Sequence, residues 1–290
     1  MERGAGAEPG LPSPSPCTQG EGRGEGSSNK LTFESEHLDA LKRMRVLESY
    51  YQWVLDLFGP FVGRRIVDAG CGVGNFTQLL AGRADRVVAA DLSAQNLAVL
   101  RERFAGQPQV VVERADLDGD LSGLAAHDPD TIVCLDVLEH IDDDVGLLAR
   151  LRGIVRPGGH LLVKVPACPW LLGSIDAASG HRRRYTPREL ADKARIAGWT
   201  PLRCHYMNLA AVAPYWLKCR LMGRRSNFSR TFKPWQLALI RAAVPFLRLV
   251  DRVSGPPVGL SAVLVARGGA TSAPATSSLR GRAGSASPAG

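Results

Sequence analysis

Strand-like and helix-like patterns alternate along the middle of the chain. Leu38, Leu41, Met44, Leu47, Tyr51, Val54 and Leu57 recur at steps of three and four, which predicts a helix over 35–58. RRIVDAG (64–70) is a short β-branched run ending in glycine, and GNFTQLLAG (74–82) reads as the helix after it. DRVVAAD (85–91) predicts a second strand, followed by a helix that Ser93 caps and that runs to Phe104. QVVVERAD (109–116) and DTIVCLDV (130–137) predict two more strands, and 143–155 a helix stopped by RPGG. HLLVKVPA (160–167) is a fifth strand. A helix follows with Thr186 as N-cap, Pro187 in its first position and Gly198 at its end. GLSAVLVAR (259–267) is one more strand. Strands that are apolar throughout, alternating with helices, predict an α/β fold with a mostly parallel sheet covered on both faces.

The flanks are different. Residues 1–29 and 268–290 consist largely of Gly, Pro, Ser, Ala and charged residues. Such segments bury too little apolar surface to offset their ordering entropy, so both are expected to be disordered tails around a folded part at 30–267. No internal repeat is visible. The 45% hydrophobic and 22% charged content is ordinary for a globular domain and excludes a fibrous or wholly disordered chain. No apolar run reaches the length of a membrane-spanning helix, and no secretory signal is visible, so the expected location is the cytoplasm. The six cysteines form no C-x-x-C pair and predict reduced thiols rather than a zinc site or disulfide framework.

Charge is uneven. Residues 181–290 hold 19 Lys and Arg against three acids, whereas 1–180 hold 17 against 25. Either the C-terminal part meets something anionic or it is a solvated basic surface.

The strongest local chemistry is VDAGCGVGNFT (67–77), where a strand ends in an acid and a glycine turn leads into a helix. A dinucleotide fingerprint wants G-x-G-x-x-G, but Asn75 stands where the third glycine would fall, and Gly74 comes one residue early. Asp68 would repel a pyrophosphate but can accept from an ammonium group. Asp91 ends the second strand, where a carboxylate can accept from both hydroxyls of a ribose. Asp116 follows the third strand and can accept from an adenine amino group, and Asp136 ends the fourth.

As a set, VDAGCGVGN, VVAADLS, RADL, CLDVLEHI and RPGG, in that order over roughly 45–200, resemble the class I S-adenosylmethionine (SAM)-dependent methyltransferases. The resemblance implies a Rossmann-like seven-stranded sheet with a reversed last hairpin, and SAM as cofactor. It places Asp68, Gly70, Cys71, Gly72, Gly74 and Asn75 around the methionine part. It puts Asp91 and Leu92 at the ribose, Asp116 and Leu117 at the adenine, and Asp136 and Val137 on the pocket floor. PWLLGSIDAASGHRRRYT (169–186), GPPVGLS (255–261) and the aromatic YYQW (50–53) further resemble a bacterial subgroup with a GHxRRYT-like loop, whose members look like cell-envelope or glycoconjugate enzymes.

Methyl transfer to a hydroxyl needs a base within hydrogen-bond reach. His181, in a polar loop after the fifth strand, is the first candidate. Tyr185 and His140 are weaker ones. Arg183, Arg184 and Tyr50 are candidates for holding the acceptor. Asp142, Asp143 and Asp144 read as the acidic start of a helix, and no metal is expected. The segment 206–253 is aromatic and basic. It predicts a helical cap before the last strand, with Trp235, Leu239, Val244, Leu247 and Val250 on one side, Arg241, Arg248 and Arg252 on another, and a kink at Pro245.

The expected activity is methyl transfer, O- before N-, to a small-molecule, lipid-linked or glycan-linked acceptor. Peripheral contact with the inner face of a membrane through 206–253 is part of the same expectation. A nucleotide-dependent oxidoreductase is the rival enzyme, disfavoured by Asn75 and by the lack of a Y-x-x-x-K pair. A SAM-binding protein without catalysis and a nucleic-acid binder are the non-enzymatic rivals. No specific nucleic acid is expected, because the arginines form no known nucleic-acid motif. The oligomeric state is not legible.

Overall fold

The computed structural model describes residues 38–222 and 233–269. The tail expected at 1–29, and that expected at 268–290 from residue 270 on, lie outside the described residues. The C-terminal tail does not begin at 268, because Gly268 ends the last strand.

Seven strands form one sheet: β1 Arg65–Ala69, β2 Arg86–Asp91, β3 Val110–Arg114, β4 Thr131–Leu135, β5 His160–Pro166, β6 Trp199–Met207 and β7 Ser261–Gly268. Their order is β3-β2-β1-β4-β5-β7-β6. The first five run parallel, and β7 lies antiparallel between β5 and β6. The order reverses between β1 and β4, and in open α/β sheets the carboxyl ends at such a switch point leave a crevice for ligands.

Among the described residues, the helices named below are α1 Glu48–Phe58, α2 Thr77–Ala81, α3 Ala94–Arg103, α4 Asp144–Ile154, α5 Ser174–Ser179, α6 Pro187–Ile196, α7 Val212–Met222 and α8 Pro234–Ser254. The period of two along a strand sends alternate side chains to opposite faces. Val67, Val88, Ile132, Leu161 and Val163 therefore pack on one face with Leu147, Leu148 and Leu151 of α4 and Leu190 of α6. Ile66, Val87, Val133, Leu162 and Val263 pack on the other with Trp53, Val54 and Phe58 of α1 and Val244 of α8.

Several expected elements are redrawn. The first helix is broken, because Met44–Leu47 tighten into a 3₁₀ turn before α1. β6 (WTPLRCHYM) was not visible in the pattern. It is an edge strand with one wet face, a register shift between Pro201 and Arg203, and a proline that an edge tolerates.

The cap expected from 206 starts later, since Tyr206 and Met207 belong to β6. Its helices separate: α7 lies against α5, whereas α8 packs beside α1. α8 also turns its faces differently from expectation. Val244 is buried and Leu247 packs against the core, while Trp235, Leu239, Phe246, Leu249 and Val253 are exposed. Pro245 sits inside one continuous helix. Among the described residues no helix is long and apolar enough to cross a membrane. The five cysteines among them are free thiols, with Cys134 and Cys168 buried.

Candidate active site

The glycine turn leaves β1 at the switch point. Gly70 has φ +72°, and a Cβ there would lie 2.5 Å from a methyl of Val137; Gly74 has φ +75°, and a Cβ there would lie 2.6 Å from the Phe104 ring. Backbone conformation and space both demand glycine, so the bare turn is pressed between β4's exit and α3. Gly70→Ala is expected to cost about 2–4 kcal/mol, read as a lower denaturation midpoint, from left-handed strain plus overpacking.

Acids surround this turn. Asp68 is buried and accepts from the Thr77 hydroxyl at 2.7 Å. Burial, with a smaller contribution from Asp91, pushes its carboxyl up to about 7. Asp91 accepts from Gly72 N at 2.8 Å, Ser93 N at 2.9 Å and Asn96 Nδ2 at 3.1 Å, which fixes its carboxylate at the β2 end. Leu92 beside it is exposed. Asp116 is exposed and accepts from Asp118 N, while Leu117 is buried. Asp136 has φ +53° and pairs with Lys164 of β5. The Lys164 ammonium also lies 5.6 Å from the centroid of the Tyr50 ring. Trp53 is core, and burial raises the Tyr51 hydroxyl to about 12.

Two of the residues expected at the cofactor turn inward. Asn75 donates to Leu41 O and accepts from Arg103, so its polar atoms are spent on the protein. Cys71 donates its N–H to Ala90 O, and burial pushes its thiol well up.

A second cluster follows β4. His140 and His181 stack edge to face with ring centroids 4.9 Å apart. His181 Nε2 lies 3.8 Å from Glu139 Oε1, and its Nδ1 lies 3.0 Å from Asp176 Oδ1. Glu139 is fully buried, and both its carboxyl oxygens lack a hydrogen-bond partner. Burial, then repulsion from Asp136, holds its carboxyl well above the usual range. The stretch 137–140 joins the two clusters, with Val137 against Gly70 at one end and His140 against His181 at the other.

Three other candidates of the loop have partners within the protein. Tyr185 is fully buried and its hydroxyl donates to Asp144 at 2.8 Å. Arg184 is buried too, bonded to Asp176 and to Ala167 O, and does not reach for an acceptor. Arg183 pairs with Asp144 at 3.1 Å and also donates to Asp142 O. The acidic run does start a helix: Asp143 caps α4 by accepting from Gly146 N. Glu139 and Asp176 were missed. Their signal lay only in their places within DVLEHI and GSIDAASGH, since neither burial nor the partner is visible in one sequence.

A glycine turn at the switch point, with strand-ending acids beside it, defines a Rossmann-like nucleoside-binding enzyme. The sequence pattern of the methyltransferase domain matches residues 41–203, more than half the chain, and the chain belongs to that SAM-dependent family. It is 30% identical over 160 residues to a ubiquinone biosynthesis O-methyltransferase of Ralstonia nicotianae, covering 49% of this chain and 65% of that one. The chain thus spans about two thirds of the length of such curated relatives. Geranyl diphosphate methyltransferase in complex with SAM superposes with TM-score 0.51 at 15% identity, over 76% of this chain and 84% of that one. The [4+2]-cyclase SpnF does so with TM-score 0.51 at 16% identity, over 77% and 81%. Both likenesses concern the fold alone.

The residues present fit SAM. The turn has no room for a side chain at Gly70 or Gly74, Asp68 is a buried carboxyl suited to a cationic partner, and Asp91 is an anchored acceptor.

Proposed function

We propose that the protein moves the methyl group of SAM to the oxygen of a small hydroxylated acceptor, with His181 taking the hydroxyl proton. The supporting observation is the His181 ring beside β4's exit, joined by 137–140 to the glycine turn, with Nε2 3.8 Å from Glu139 Oε1 and so outside hydrogen-bond reach of it. The family's methyl transfer and the O-methyltransferase named among the relatives support the same reading.

When bound, SAM supplies a methyl group activated on a sulfonium. Asp68 would hold the cationic end, Asp91 and Leu92 the ribose, Asp116 and Leu117 the adenine, and Asp136 and Val137 the floor. The acceptor's proton passes to His181 Nε2. An aromatic hydroxyl, with a pKa near 10 as in tyrosine, suits a neutral imidazole far better than an aliphatic alcohol does.

The test is incubation with methyl-labelled SAM and catechol. Label in an O-methyl ether of catechol is the expected result. Transfer to amines with none to phenols or alcohols would overturn it.

Asp68 adds a pH signature. Its raised carboxyl keeps a proton in the fold that the unfolded chain has lost, so its contribution to stability falls between about pH 4 and pH 7. A cation beside it favours the ionised form, so SAM binding below pH 7 is expected to release a proton. Calorimetry in two buffers of different ionisation enthalpy measures that release.

A second reading concerns α8. Its exposed Trp235, Leu239, Phe246, Leu249 and Val253 recur at steps of three, four and seven, on one side of a helix ~32 Å long. Arg241 and Arg252 are exposed beside this stripe. Apolar stripe and basic flank together favour an anionic membrane surface. Co-sedimentation with phosphatidylglycerol vesicles but not with pure phosphatidylcholine is expected. No co-sedimentation, with self-association in analytical ultracentrifugation, would assign the stripe to a second copy instead.

A further inference from the structure

The carboxylate of Asp176 is the hub of the loop before α6. It is almost wholly buried, yet four groups converge on it. Oδ1 meets His181 Nδ1 at 3.0 Å and accepts from Arg184 Nε at 2.9 Å. Oδ2 accepts from Gly173 N at 3.0 Å and from the Tyr215 hydroxyl at 3.2 Å. The His181 backbone N–H also donates to Asp176 O at 2.9 Å. Tyr215 belongs to α7, and its ring lies under the Arg184 guanidinium, 4.6 Å away.

We infer that Asp176 is a positioning residue that fixes the tautomer of His181, and that Tyr215 ties this setting to the helix Val212–Met222. The inference rests on the reading of His181 as proton acceptor. An ionised carboxylate can only accept. Buried Arg184 supplies the charge that keeps Asp176 ionised: burial alone would raise the carboxyl, but bonds from His181 and Arg184 hold it below its ordinary range. His181 Nδ1 must therefore carry the proton, which leaves the lone pair of a neutral ring on Nε2. That nitrogen faces Glu139 at 3.8 Å, too far for a hydrogen bond, so the lone pair stays available.

Tyr215 completes the arrangement from outside the loop. Burial raises its hydroxyl, so it stays a donor, and its bond to Oδ2 fixes the carboxylate's rotation. The seat of α7 thereby bears on the orientation of a ring it does not touch. Asp176 and Tyr215 touch no reacting atom; they act through His181.

Nitrogen-15 NMR of the full chain, with His181 assigned through His181→Gln, tests this without an acceptor. The neutral ring above pH 8 should be the Nδ1–H tautomer, with a downfield Nδ1 proton. A predominant Nε2–H tautomer in the wild type would overturn the inference, whatever His181 does in turnover.

Turnover of catechol separates the two ideas further. Asp176→Asn should lower kcat by about 10²-fold with SAM affinity unchanged, and Tyr215→Phe should lower kcat by about 3- to 10-fold with KM for catechol little changed. Loss of turnover in a His181 variant, with Tyr215→Phe at wild-type kcat, would retain the base and remove α7 from its setting. Wild-type turnover in a His181 variant would overturn the base itself.

Discussion

Replacing His181 by alanine is expected to lower kcat by about 10²- to 10⁴-fold while leaving SAM affinity within about threefold of wild type. Displacement at a methyl carbon depends on alignment, but a hydroxyl must also lose its proton as it becomes an ether. The acids and the tyrosine beside His181 are poorly placed to take it. Glu139 is buried and strongly favours its protonated form. Tyr185 is committed to Asp144. Asp176 is engaged on both oxygens. The affinity should survive because His181 stands on the loop and not on the glycine turn. Single-turnover rates at saturating SAM, set against calorimetric affinity, separate the two quantities. A variant with undiminished rate would move the proton acceptor elsewhere.

Asp91→Ala is expected to weaken SAM binding by about 10²-fold or more, roughly two charge-assisted hydrogen bonds. The carboxylate has two duties: it would accept from the ribose, and it already accepts from Gly72 N, Ser93 N and Asn96 Nδ2. Alanine removes both, leaving the turn's own N–H without its partner. Titration with SAM and with S-adenosylhomocysteine reads the loss, and equal loss for both would assign it to the nucleoside end. NADH is expected to bind neither protein. Unchanged SAM affinity in the variant would place the ribose elsewhere.

The fold was legible wherever a segment carried its own punctuation. β1 to β4 are largely apolar runs closed by an acid or a glycine, β5 follows the glycines of RPGG, and Ser93 and Thr186 cap their helices as their spacing implied. β6 was not legible, because Pro201, Arg203 and His205 break the alternation and only pairing with β7 makes the segment a strand. The faces of α8 were misjudged for a related reason. Its apolar residues run nearly all round the helix, so its packing against α1, not its pattern, decides which are buried.

At the site, the glycines and the strand-ending acids could be read from residue type and place. The arginines after His181 could not. Three consecutive arginines suggest anion binding, but Arg183 and Arg184 are taken by Asp144 and Asp176, partners 39 and eight residues earlier in the chain. Long-range pairing of charges leaves no local trace in a single sequence.

The position of β7 has a consequence for the order of assembly. β5 is apolar but for His160 and Lys164, and on the side away from β4 it pairs only with β7. β6 likewise pairs only with β7. During synthesis, five parallel strands and their helices can gather early, but the open border of β5 and the unpaired β6 must wait for residues 261–268. Until those emerge from the ribosome, the nascent chain carries a bare apolar sheet border, which is a template for pairing with other chains. A stop codon placed just before Ser261 should therefore yield aggregated protein rather than a smaller soluble enzyme.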